Sequence, residues 1–191
     1  MNIEPIIQKI RETLEKHRID DGAYARFLWQ DEKSSRKLGA NEYGCADAAN
    51  ILYSLGSFEK DPAVREKLVS RLRGFQHPDG LFDEGTHHPL HCTAHCIAAL
   101  ELFDASPKYP LTALMPYKNV GELEKLLSEL KWVTEPWPAA HAGAGIYAAF
   151  VLTGNASKEW QDAYFDWLTA NADPKYGIGY KGAIDAGTRP I

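Results

Sequence analysis

Three segments of this chain are apolar or small on nearly every side of a helix, and they recur at a near-constant interval. They cover residues 44–55, 91–102 and 141–152, and their closing leucines, Leu55, Leu102 and Leu152, stand 47 and 50 residues apart. That interval is the length of a two-helix unit. A helix without a polar face belongs in a buried layer, and its Ala and Gly let neighbouring backbones come close. The repeat therefore predicts an inner layer built from these three helices.

Between them lie segments with a one-sided apolar stripe, the pattern of helices packed on a core from outside. The first runs over about 5–17, with Ile6, Ile7, Ile10 and Leu14 as its stripe and Pro5 in its first turn. The second opens at Asp61-Pro62 and turns Val64, Leu68, Val69 and Leu72 inward. A third starts at Asn119, with Glu122 three residues on as in a capping box, and shows Leu123, Leu126, Leu127 and Leu130. The fourth covers about 157–170, with Trp160, Tyr164, Trp167 and Leu168. Residues 31–39 read as an exposed loop, and 111–116 as a short helical turn. Related turns follow three of these helices, at 20–24, 79–82 and 173–180, where Gly reverses the chain and Asp bonds local backbone. Trp132 and Trp137 stand at the end of the remaining one.

The reading is all-α: an α/α toroid-like array of helical hairpins in one domain spanning 1–191. With 191 residues and 45% hydrophobic content, one domain can bury a sizeable core. The net charge of −5 leaves no basic footprint, so nucleic acid is not an expected partner. No apolar run approaches the roughly 20 residues that span a bilayer, and residues 1–9 lack the order of a signal peptide; the expectation is a cytoplasmic protein with no membrane partner. Cys45, Cys92 and Cys96 are too few for a disulfide scaffold and read as core filler.

The run Gln76-His77-Pro78-Asp79-Gly80-Leu81-Phe82, followed by an apolar inner helix, resembles the repeat of the squalene-cyclase and protein-prenyltransferase-like α/α toroids, which pairs a Gln with Asp-Gly and an aromatic. The resemblance implies a ring of hairpins, a fold that hosts several chemistries. The family's catalytic residues do not carry over. Asp20-Asp21 runs into Gly22 where the cyclase acid would continue, and the prenyltransferase zinc trio of Asp, Cys and His has no match in position. A complete ring needs roughly five to seven hairpins, so four outer and three inner helices look like an unfinished one. The last ten residues, 182–191, read as the lead-in to another inner helix, which leads us to expect one part of a longer toroid. An open arc would expose an apolar inner face, which favours covering it in a homo-oligomer.

Four of the seven histidines fall within 83–96. His91 and His95 share one helix face, and Cys92 and Cys96 the adjacent one. Either pair, with His87, Asp83 or Glu84, has metal-ligand chemistry, yet a spacing of four is common by chance; no resident metal or other cofactor is expected. In the repeat, His91 coincides with His141, so two histidines occupy equivalent starts of successive inner helices. Those starts converge on one mouth of a toroid. We therefore expect His91, His95, His141 and Glu84 as the catalytic set, since imidazole beside carboxylate serves as general acid or base. Tyr43, His87, His88 and Trp137 are expected to contact the ligand. Helix capping is the competing role for these polar residues, and Asp79 and Asp173 have a sufficient one in their turns. The sequence favours an enzyme acting on a small molecule, with glycan ahead of isoprenoid because aromatics mix with His and carboxylates. The alternative is a non-catalytic scaffold whose concave face holds a peptide or partner domain; a metal-dependent hydrolase ranks third.

Overall fold

The computed structural model describes residues 2–30, 36, 38–56, 62–85, 87–176 and 179–183, and these residues are mostly helical. Helix α1 spans Glu4–His17 and leads into a small antiparallel hairpin of β1 (Arg18–Asp20) and β2 (Ala23–Tyr24). Six further α-helices follow: α2 (Glu42–Ser54), α3 (Pro62–Gly74), α4 (Pro89–Glu101), α5 (Val120–Glu129), α6 (Pro136–Leu152) and α7 (Lys158–Asn171). A 3-10 turn at Thr112–Lys118 precedes α5, where the sequence predicts a short helical turn. Among the described residues no helix is long and apolar enough to cross a membrane.

The three small-residue segments lie in α2, α4 and α6, and α4 packs between the other two. Their burial follows from composition. Cys45, Ala46, Ala48 and Ala49 of α2, Cys92, Cys96, Ala99 and Leu100 of α4, and Ala142, Ile146, Ala149 and Phe150 of α6 are all buried. A Cβ on Gly145 would stand only 2.6 Å from the Leu90 carbonyl oxygen, so α6 crosses α4 at a distance that only glycine permits. Likewise, a Cβ on Gly44 would meet the backbone of Tyr24–Arg26 at 2.6–2.8 Å, which seats α2 against β2. Helix α6 starts five residues earlier than its small-residue segment, because Pro136 and Pro138 fall in a first turn where a missing N–H costs nothing.

The amphipathic helices pack on this layer through the expected stripes, with one exception. Leu68, Val69 and Leu72 of α3 and Leu123 and Leu127 of α5 are buried, while Val64 is half-buried. Asn119 and Ser157 cap α5 and α7 by accepting from the N–H groups of Glu122 and Trp160. The exception is α1, which has no buried residue. Its stripe is real, but Ile6 and Ile10 line an open groove instead of a core. Asp61, the expected cap of α3, and residues 184–191 lie outside the described residues.

The Gln-x-x-Asp-Gly-x-Phe run is a structural clamp. Gln76 is buried; its amide donates to the carbonyls of Gly80 and Tyr109 and accepts from the Tyr109 N–H, tying the turn to the segment leading into the 3-10 helix. Asp79 accepts from the Leu81 N–H, and the Phe82 N–H donates to the buried Thr93 hydroxyl on α4. Asp173 is likewise committed to its turn, accepting from the N–H groups of Lys175 and Tyr176. Three tryptophans pack between elements: the Trp160 indole donates to the Tyr117 carbonyl, and Trp132 lies against Trp167 and Tyr180.

Candidate functional site

The N-terminal halves of α2, α4 and α6 bring four histidines together with Tyr43, Asp47, Arg26 and Trp137. Two pairs set the register of α2 against α4. The Tyr43 hydroxyl lies 2.9 Å from His91 Nε2, and His95 Nε2 lies 2.9 Å from Asp47 Oδ1. Each pair is 48 residues apart, and each helix advances by four residues from one pair to the next, so the two helices run in the same direction. On the other side, the rings of His91 and His141 stack at 4.2 Å and 9°. His87, just before α4, closes the group, with ring centroids 5.0 Å from His91, 5.2 Å from His141 and 5.0 Å from Tyr43.

Seven of the eight residues singled out from the sequence occupy this region, and Glu84 pairs elsewhere. Trp137 is 56% exposed and meets the His141 ring edge-on at 4.7 Å. His88 is the N-cap of α4, accepting from the Leu90 N–H, so capping falls to it and not to His91. His141 stands in the second turn of α6, not at its start. Glu84 lies 3.5 Å from His77, whereas the carboxylate that meets a cluster histidine is Asp47.

Asp47 and Arg26 are the residues that sequence reasoning missed. Asp47 was legible as the lone acidic residue within segment 44–55, placed four after Tyr43 as His95 is four after His91. Arg26, from the stretch after β2, lays its guanidinium 4.2 Å from the centre of the Tyr43 ring. Both border a groove of about 500 Å³ between α1 and α2, otherwise lined mainly by apolar side chains including Ile6, Ile10, Leu14 and Ile51.

The surroundings of His87, His91, His141 and Tyr43 favour their neutral forms. Burial, then the imidazoles of His141, His87, His95 and His88, push the His91 pKa down to about 4. Burial, followed by the Arg26 charge, lowers His87, and burial, followed by His88, lowers His141. Burial and then Asp47 raise Tyr43, which keeps its hydroxyl protonated. Since a carboxylate only accepts, His95 Nε2 donates to Asp47, which fixes the orientation of the ring. An imidazole so oriented is competent for general acid–base chemistry.

His91 also predicts a pH dependence of stability. Its folded pKa of about 4 lies below the unfolded value of about 6.5, so the unfolded chain binds the extra proton between them. The contribution is fully present above about pH 6.5 and is lost as the pH falls through the folded value. Urea unfolding in chelator-containing buffer is expected to show that decline, and His91→Gln is expected to flatten it; identical slopes for the two proteins would contradict the assignment.

The cysteines take no part in this face. Cys45, Cys92 and Cys96 are buried thiols, and the side chains of Cys92 and Cys96 point to Glu42, donating to its carboxylate and its carbonyl respectively. Burial pushes Cys45 up to about 11 and raises Cys96 strongly. The metal-ligand set that spacing alone did not assemble is His87, His91 and His141, whose ring nitrogens lie within 4.8 Å of one another.

No family model matches the chain, and no curated protein or solved structure matches it either.

Proposed function

We propose that this protein is an enzyme acting on an amphiphilic small molecule of isoprenoid-like class, with the polar head at the histidine cluster and the apolar part along the α1–α2 groove. One observation carries the reading: the groove is lined in part by Asp47, the same carboxylate that holds His95. His95 is the general acid or base and Asp47 orients it. Arg26, which also lines the groove, suits an anionic head. The apolar lining reverses the preference for glycan that the sequence alone suggests. A toroid-like arrangement of the hairpins agrees with the packing of α4 between α2 and α6. A second reading, glycan binding, is favoured by exposed Trp137 beside His141, since such an indole face stacks on sugar rings.

Thermal-shift screens with prenyl diphosphates and oligosaccharides side by side separate the two. The isoprenoid reading expects stabilisation by the prenyl series, abolished by Ile10→Asp in the groove. It also expects His95→Ala to lower turnover by about 10²–10⁴-fold with little change in melting temperature. Stabilisation by oligosaccharides alone, lost in Trp137→Ala, would transfer the assignment to glycan. Stabilisation by neither class would remove the enzyme reading in favour of a scaffold.

A further inference from the structure

We propose that His87, His91 and His141 form a binding site for a single divalent transition metal ion, zinc foremost. The inference goes beyond the ligand-pocket reading and does not depend on it. Three neutral imidazoles are the donor set that zinc, copper, iron and nickel prefer, and calcium and magnesium do not. Around a tetrahedral zinc with bonds of about 2.0–2.1 Å, ligand nitrogens stand about 3.3–3.4 Å apart. The three rings offer nitrogens already within 4.8 Å of one another, so modest ring rotations close the set.

The three come from different parts of the chain, 87 and 91 flanking the start of α4 and 141 on α6, so the fold assembles the set and not a local spacing. His91 already meets the Tyr43 hydroxyl through Nε2, but helix capping and carboxylate pairing on this face fall to other residues. Capping of α4 is done by His88, and the acidic partner on this face, Asp47, is taken by His95. All three ligand residues are half-buried: walled enough to hold an ion, open enough to leave a coordination position for water or substrate. The Tyr43 hydroxyl, 2.9 Å from His91 Nε2, would be the outer-shell partner that orients the His91 ring. A metal–water centre here would adjoin the His95–Asp47 pair, and three-histidine zinc sites with an open position lower the pKa of bound water to about 7.

The test is metal stoichiometry on the full chain with any affinity tag removed. Protein stripped with chelator, incubated with zinc sulfate and desalted is expected to retain one zinc per chain by elemental analysis, and cobalt in its place is expected to give the visible absorption of a low-symmetry four- or five-coordinate ion. His91→Ala and His141→Ala should each weaken zinc binding in calorimetry by at least about a hundredfold. His95→Ala should leave the stoichiometry at one, because His95 lies outside the set. Circular dichroism of each variant checks the fold; if His91→Ala is unfolded, His87→Asn and His141→Asn carry the test. Retention well below one equivalent for zinc, cobalt, nickel and copper alike overturns the site, and so does undiminished binding in the folded variants. None of these readings depends on turnover or on an organic ligand, so a failed ligand screen leaves the result intact.

Discussion

Gly80→Ala is expected to destabilise the protein by about 2–5 kcal/mol, combining left-handed backbone strain with overpacking against rigid chain. Gly80 has φ of +94°, and a Cβ there would fall 2.3 Å from the Pro110 carbonyl oxygen and 2.6 Å from Leu111 Cα. Both obstacles belong to backbone, so no side-chain rotation relieves them. The turn cannot simply move away either. Gln76 fixes it to Tyr109, and the Asp79 carbonyl accepts from the Ala113 N–H and the Thr112 hydroxyl. Phe82, two residues on, is fully buried, so displacing the turn unseats a core aromatic. Urea denaturation measures the loss. Asp79→Ala, which removes the exposed bond to the Leu81 N–H, should cost only about 1 kcal/mol. Similar small losses for both variants would show that the turn is not clamped as described.

Gly145→Val is expected to cost about 3 kcal/mol or more and to damage the site as well as the fold. The new side chain would meet the Leu90 carbonyl oxygen at 2.6 Å, its carbon at 2.7 Å and the His91 nitrogen at 3.0 Å. Helices α4 and α6 must then separate at the point where His91 and His141 stack, since His141 is one turn before Gly145 on the same face. Two readouts should move together: the melting temperature falls, and the His91 pKa climbs from about 4 towards the ordinary 6.5 as neighbours and burial are lost. A destabilised variant with His91 still titrating near 4 would mean that the close crossing does not hold the cluster.

The layering was legible because composition dictates it. Segments 44–55, 91–102 and 141–152 are apolar or small on nearly every side, and all but their last residues at 55 and 102 lie in α2, α4 and α6. The cap at Asn119 was legible because its side chain satisfies an orphan N–H three residues on, a wholly local event. What α1 covers was not. Periodicity reveals an apolar stripe, but whether that stripe faces a core or a groove depends on neighbours that local sequence does not encode. The start of α6 was not legible because its first turn holds Pro136 and Pro138, residues that are tolerated there but carry no apolar helical pattern.

For the site, alignment of the repeats paired His91 with His141, and the rings meet. Placing Glu84 as the acidic partner relied on closeness along the chain. The carboxylate beside His95 is instead Asp47, 48 residues away, brought there by the parallel register of α2 and α4. His87 was assigned to ligand contact from its loop position, and its approach to both His91 and His141 depends on how the loop before α4 folds back.

The central claim is that His87 before α4, His91 on α4 and His141 on α6 meet at one place, and proton NMR of the imidazole rings tests it most directly. With His87, His91 and His141 assigned by single substitutions, the account predicts ring-to-ring nuclear Overhauser contacts between His91 and His141, and from His87 to both, since the centroids are 4.2, 5.0 and 5.2 Å apart. Three well-folded, assigned rings with no mutual contacts would contradict it.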